Sequence, residues 1–262
     1  MFQEERLILI EEYLKSHKRI TIEQICELYG VSRDTARRDM VKLEEQSRII
    51  RTRGGAILPT LSKVVGDYEQ RLQEESGSKK SIGQAAAALV QDGDYVLMDA
   101  STTVLQAALA LRSVNNVVVT SSIQIAAALT SRADTTIHML GGLLNKKHHC
   151  VTGAKAMQML SDYHVDKVLI GTCGITSDGL TSPNEEDSYL DREMIRRADQ
   201  VIVLVDHSKF GKKLFHRLAD FEEIDVLVTD REPDADIREK LQACNVELVI
   251  AGGMNDDSIV CN

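Results

Sequence analysis

Between positions 32 and 42 the chain sets out Ser32, Arg33, Asp34, Thr35, Arg37, Arg38 and Lys42, and a second pair of arginines, Arg51 and Arg53, follows. Cations mixed with short hydrogen-bonding side chains suit a polyanion: they hold phosphates and reach base edges. Another set lies further along, in Asp99-Ala100-Ser101-Thr102-Thr103, Thr120-Ser121-Ser122, Gly141-Gly142, Gly171-Thr172-Cys173-Gly174 and Asp206-His207-Ser208-Lys209-Phe210-Gly211. Hydroxyls and glycines beside helix starts leave backbone N–H groups for an anion. Lys209 adds a formal positive charge. Both sets offer non-covalent recognition of oxyanions, one on a polymer and one on a small molecule.

The first set needs helices to position it. Leu7, Ile10 and Leu14 recur at helical spacing, so Glu4–Ser16 reads as an amphipathic helix. Thr21 and Gln24 fit a capping box for a short second helix that ends at Gly30. Ser32 is a good N-cap for a third helix, Arg33–Gln46. Two helices joined by a tight Gly-containing turn describe a helix-turn-helix. In the third helix Ala36, Met40 and Leu43 share the core-facing arc. Asp34, Thr35, Arg38 and Lys42 fall opposite, with Arg37 on the flank. A plain surface pair between Asp34 and Arg38, worth about 0.2–0.5 kcal/mol, is the bland alternative. Ile49–Ile57, with Gly54-Gly55 inside it, suggests a two-stranded wing that places Arg51 and Arg53 on one face, toward phosphate. Residues 1–57 carry a net charge of +1 within a chain whose total is −9. A locally basic head thus stands on an acidic body, and phosphate binding depends on the local patch.

The second set needs a sheet. Residues 58–78 read as a connector between a DNA-binding domain, 1–57, and a sensing domain, 79–262. Apolar, often β-branched runs appear at Tyr95–Met98, Val117–Thr120, Thr136–Leu140, Lys167–Ile170, Val201–Val205, Val226–Thr229 and Val246–Ile250, with helical stretches between most of them. This pattern predicts an α/β domain with a mostly parallel sheet. In such a sheet ligands sit beyond the C-terminal strand ends, where the hydroxyl and glycine clusters fall. The first strand lacks a following GxGxxG, so a nicotinamide cofactor is not expected and a phosphorylated small polyol fits better. Adjacent His148 and His149 point apart, which disfavours a metal. Five cysteines without a CxxC predict reduced thiols and no structural zinc. The 43% hydrophobic content is that of a globular protein, and no apolar run approaches the roughly 20 residues that span a bilayer. The opening residues lack a signal-peptide profile, so a cytoplasmic location without membrane partners is expected.

Val31-Ser32-Arg33-Asp34-Thr35-Ala36-Arg37-Arg38-Asp39-Met40, then Leu43-Glu44, then Arg51-Thr52-Arg53-Gly54-Gly55-Ala56, resembles the winged helix-turn-helix of DeoR-type regulators, with its VSxxTxRRDLxxLE stretch and R-x-x-GGA wing. The body resembles the sensor domain of the same family in DASTT, the Gly pair, GTCGITSDGLT, DHSKFG and VTD. The resemblance implies a sensor fold similar to ribose-5-phosphate isomerase. It implies a sugar-phosphate effector contacted by Asp99, Ser101, Thr102, Thr103, Ser121, Ser122, Gly174 and Lys209. Two positions depart from the family pattern: Asp191, where a basic residue is common, and Ser101, where Gly is frequent. The implied protein is a non-enzymatic repressor of a carbohydrate-utilisation operon. It binds double-stranded operator DNA as a homo-oligomer, dimer or tetramer, whose two-fold axis presents paired recognition helices. The rival expectation is a phosphosugar isomerase with an accessory DNA-binding head, using Asp99, Asp178, Glu185 or Glu186 as acid–base groups.

Overall fold

A computed structural model describes residues 2–46, 48–58 and 65–252. Positions 59–64 of the connector, and Cys261, lie outside the described residues. The chain divides into two compact units, Met1–Val64 and Val65–Asn262.

The first unit runs α1 (Gln3–His17), β1 (Arg19–Thr21), α2 (Ile22–Tyr29), α3 (Arg33–Glu45), β2 (Ile50–Thr52) and β3 (Gly55–Ile57). The end signals act as the sequence indicates. Thr21 and Gln24 close a reciprocal capping box on α2, and Gly30 takes the left-handed conformation (φ 63°) that stops it. The Ser32 hydroxyl accepts the Thr35 amide to start α3. Leu7, Ile10, Leu14, Ile25, Ala36, Met40 and Leu43 form a common core. β2 and β3 make the wing, and β1 adds a third antiparallel strand against β3 that the sequence pattern does not reveal. Three residues are too few to show a period of two.

The second unit opens with α4 (Tyr68–Gln73) and α5 (Ser76–Ala87). Tyr68 is buried in the core of this unit. Then follow β4 (Tyr95–Met98), α6 (Thr102–Ala110), β5 (Val117–Thr120), α7 (Ile123–Leu129), β6 (Thr136–Met139), β7 (Leu143–Asn145), β8 (Cys150–Thr152), α8 (Ala154–Leu160) and β9 (Val165–Gly171). The remainder is β10 (Gly174–Thr176), β11 (Gly179–Ser182), α9 (Glu185–Arg196), β12 (Ala198–Val205), β13 (His216–Ala219), β14 (Val226–Thr229), α10 (Ala235–Ala243) and β15 (Glu247–Ile250).

All seven runs expected as strands join one sheet, in the order β15-β14-β12-β9-β4-β5-β6. Every neighbouring pair is parallel. Alternation along the strands feeds two cores. Val201, Val203 and Val205 enter one face's cluster, while Ile202 and Leu204 enter the other's. A central strand buried on both faces must be apolar throughout, which is why these runs are continuous. The chain winds outward from β4 in both directions, so the strand order reverses between β4 and β9. That reversal opens a crevice at their C-terminal ends.

Candidate functional site

The head presents a solvent-facing side on α3. Ala36, Asp39, Met40 and Leu43 are buried, whereas Ser32, Arg33, Asp34, Arg37 and Arg38 are exposed. Thr35 is half-buried and shares a hydrogen bond with the Ser32 hydroxyl at 2.9 Å. Most of the cations are paired. Arg33 meets Glu23 at 2.6 Å, Arg37 meets Asp34 at 3.8 Å and Arg51 meets Glu44 at 3.3 Å. Asp34 therefore pairs three residues on, with Arg37, and not four residues on with Arg38. Lys42 is half-buried and bonds Glu4 and Gln3 of α1. Arg53 is exposed on the wing turn.

One residue of this head escapes sequence reasoning. Asp39 lies inside the core and accepts two bonds from the Arg6 guanidinium, one of them Arg6 Nη2 to Oδ1 at 3.0 Å. Gln3 Nε2 adds a third at 3.0 Å. The pair raises the Arg6 pKa through the direct hydrogen bond to Asp39. Within the RRD triplet, Asp39 thus joins α3 to α1 while the arginines face outward. Its buried phase was visible in the helical period; its partner, more than thirty residues away, was not.

In the second unit the crevice between β4 and β9 holds a pocket of about 690 Å³, counting its mouth to solvent. Its floor is the strand reversal itself. Asp99 Oδ1 accepts the Ser101 amide and Oδ2 the Gly171 amide, each at 2.8 Å, so one carboxylate laces the ends of β4 and β9 together. Burial pushes the Asp99 pKa up, to about 6, against the two amides, which pull it down. Ser101 caps α6 by accepting the Thr103 amide at 3.1 Å. Its side chain fits because residue 171 is glycine: a Cβ there would stand 2.3 Å from Ser101 Oγ.

Of the residues expected at the effector, Asp99, Ser101 and Ser121 line this pocket. Thr102 and Thr103 are buried in the first turn of α6, outside the lining. Ser122 is occupied as the N-cap of α7, accepting the Ile125 amide at 3.3 Å. Gly174 begins β10, and Lys209 lies in the turn after β12 with its ammonium 3.0 Å from Ser208 Oγ and 3.8 Å from Asp206 Oδ2. Neither is part of the pocket lining.

The walls come largely from residues outside the expected contact set; of them the sequence flagged Asp191, as a departure bearing on ligand choice, and His148, weighed for a metal. Arg71 on α4 and His148 on the β7–β8 turn form one wall. Asp187 and Asp191 on α9 also line the pocket, as do Cys150 and Cys173. Burial, with Asp99 and Asp187 nearby, raises the Asp191 pKa well above the carboxylate range. Burial also lifts the Cys150 thiol to about 12, so it stays protonated. Burial lowers the His148 pKa; nearby Asp187 opposes the shift and Arg71 adds to it. The signal for Arg71 lay in the charged run Tyr68-Glu69-Gln70-Arg71, which reads as solvated connector until α4 is seen docked on the sheet.

A DNA-reading head plus an α/β unit with a pocket at its strand reversal defines a ligand-responsive transcriptional regulator. The family comparisons agree on both halves: the DeoR-like helix-turn-helix domain matches residues 6–61 and the DeoR C-terminal sensor domain matches residues 74–231. The chain belongs to the DeoR family of helix-turn-helix regulators. It is 50% identical to the HTH-type transcriptional repressor GlcR of Bacillus subtilis strain 168, over 95% of this chain and 97% of that one. It is 31% identical to a putative aga operon transcriptional repressor of Escherichia coli O157:H7, over 95% and 94%. Ribose 5-phosphate isomerase A from Methanocaldococcus jannaschii overlays with a TM-score of 0.39 and 16% identity, over 54% of this chain and 57% of that one. Among the described residues no helix is long and apolar enough to cross a membrane.

Proposed function

We propose that this protein represses a carbohydrate-utilisation operon by inserting α3 into the major groove of operator DNA, and that a phosphorylated sugar in the β4–β9 pocket controls that grip. The observation that carries the DNA half is the phasing of α3: its inner arc is buried and its outer arc carries Thr35 and Arg38 at a helix start capped by Ser32. Arg33, Arg37, Lys42, Arg51 and Arg53 supply flanking phosphate contacts, and the present carboxylate partners of the first four exchange for phosphate on binding. Such surface pairs are worth about 0–1 kcal/mol, so the exchange costs little. Asp34 sets the helix start and turns like-charged approaches aside. A two-fold oligomer presents two copies of α3 to repeated half-sites. The effector acts only through differential affinity for two arrangements of the protein.

The repressor names of both relatives support the sign of regulation. Against the isomerase alternative, three of its four candidate carboxylates lie away from the pocket. Asp178 is exposed and paired with Lys213 at 2.5 Å, and Glu185 and Glu186 are exposed at the start of α9. The fourth, Asp99, spends both oxygens on backbone amides. Asp187 and Asp191 do line the pocket, so an isomerase assay with pentose and hexose phosphates is the direct check, and no turnover is expected.

The test of the DNA half is Arg38→Ala in a gel-shift titration at several salt concentrations. A phosphate contact predicts weaker operator binding with the slope of log K against log salt reduced by about one. A base contact instead predicts a loss of about 1–3 kcal/mol confined to one operator position. Operator affinity equal to the unmodified protein's across that series excludes this face.

A further inference from the structure

The sensor pocket holds a cation with no ion-pair partner among the described residues. Arg71 Nε is buried and has no hydrogen-bond partner. The nearest polar side-chain group recorded for its guanidinium is His148 Nδ1, at 3.5 Å, and among the described residues Arg71 makes no ion pair. Beneath it the Tyr68 ring lies 5.8 Å from the guanidinium carbon. The residue as a whole is half-buried, but its Nε is shut away from water, and a buried polar group left unbonded is costly unless a ligand supplies the partner.

The side chain is nonetheless held firmly in place. Asp67 caps α4 by accepting the Gln70 amide at 3.0 Å. The Tyr68 amide donates to the Lys147 carbonyl at 3.0 Å, and the Tyr68 ring stacks on His149 with centroids 4.7 Å apart. At the other end of the helix, buried Lys79 donates to the carbonyls of Arg71 and Glu74. Both ends of a two-turn helix are therefore pinned, and the residue so positioned has open donors. His148 completes the arrangement: accepting from Arg71 on Nδ1 leaves its proton on Nε2, a further donor on the pocket wall.

We propose that Arg71 is the oxyanion anchor of the sensor pocket, taking the phosphate of the effector on its planar donor fork beside His148, while the hydroxyls of the same molecule face Asp187 and Asp191. This rests on the phosphosugar reading above and makes it specific. An arginine fork matches phosphate in a bidentate way that a lysine does not. Among the residues lining the pocket Arg71 is the sole lysine or arginine, and Asp187 and Asp191 leave carboxyl groups for hydroxyls. That division suits a ligand with one anionic end and a polyhydroxylated remainder. It suits neither a dianion with two separated phosphates nor an uncharged sugar. Lys209, the cation the sequence favoured, is engaged with Asp206 and Ser208 instead.

The experiment compares the full-length protein with Arg71→Gln, Arg71→Lys and Lys209→Gln. Thermal shift and calorimetric titration use inorganic phosphate, triose, pentose and hexose monophosphates, and the unphosphorylated sugars. The expected result is binding of at least one monophosphate to the unmodified protein, a loss of tenfold or more in Arg71→Gln, an intermediate loss in Arg71→Lys, and a change below threefold in Lys209→Gln. A second readout needs no ligand. Removing an uncompensated cation leaves the unliganded melting temperature unchanged or higher, whereas a fall of several degrees in Arg71→Gln shows a structural role and overturns the assignment. Binding kept in Arg71→Gln but lost in Lys209→Gln, or lost equally in both, also overturns it while leaving the phosphosugar reading intact. Binding of unphosphorylated sugars alone, or of none of the probes, overturns both.

Discussion

Two acids, Asp39 and Asp191, show how much a single side chain decides in this protein. Asp39 sits wholly inside the head with its charge shared by Arg6 and Gln3. Breaking such a pair strands the remaining charge and costs about 3–5 kcal/mol. Asp39→Ala is therefore expected to melt the head at a lower temperature and abolish operator binding without removing any DNA contact. Circular dichroism on heating checks this, and ligand response of the sensor unit stays. Asp191 is the opposite case, an acid kept from ionising. Its raised pKa means that the fold binds a proton more tightly than the unfolded chain, so ionisation as pH rises destabilises the fold. Asp99, at about 6 against an ordinary 3.8, adds the same sign across that interval. The stability of Asp191→Asn relative to the unmodified protein should therefore grow as pH rises out of the carboxylate range, and melting curves between pH 4.5 and 8 check it. Sequence alone exposed the chemistry of Ser101 and Ser121 because hydroxyls after strands are conspicuous. It marked Asp191 only as a departure from the family pattern bearing on ligand choice, because Asp99, its neighbour in the pocket, ends a strand far away along the chain.

At the scale of elements, legibility followed length. Strands β4, β5 and β14 have the limits their β-branched runs announce, since continuous apolar runs of four or more residues suit a sheet covered on both faces. The short antiparallel pieces β1, β7, β8 and β10 stayed hidden, as three residues carry no period. The helix α4 was legible only as a partly helical stretch of connector: its charges suggest solvent, while Tyr68 and Leu72 commit it to the core. Contacts between elements can be tested at the join of β9 and α6. Gly171→Ala places a methyl on Ser101 Oγ, and overpacking of this kind costs about 1–3 kcal/mol. The expected outcome is a lower melting temperature of the sensor unit, restored when Ser101→Gly is added. A double-mutant cycle read by thermal denaturation measures that coupling.

For the whole molecule, the division of labour follows charge and topology. The head is small, helical and locally basic; the sensor is larger, acidic and built on a parallel sheet. The head's membership of the DNA-binding class was evident from end signals and helical phase within some fifty residues. The sensor's class was evident from alternation of strands and helices, but the location of its anion anchor was not, because the sequence offers many cations and only the folded crevice selects among them.

The sheet order also sets a timetable. β4 lies between β5, which follows closely, and β9, whose register with it (Val96 opposite Lys167) joins positions some seventy residues apart. β12, β14 and β15 then complete the far side. Long-range parallel pairing is slow, whereas contacts between neighbouring helices form early. During synthesis the amino-terminal unit therefore matures while most of the sensing half is still inside the ribosome or unpaired. The head's own contacts can thus be complete before the sheet that frames the effector pocket has assembled.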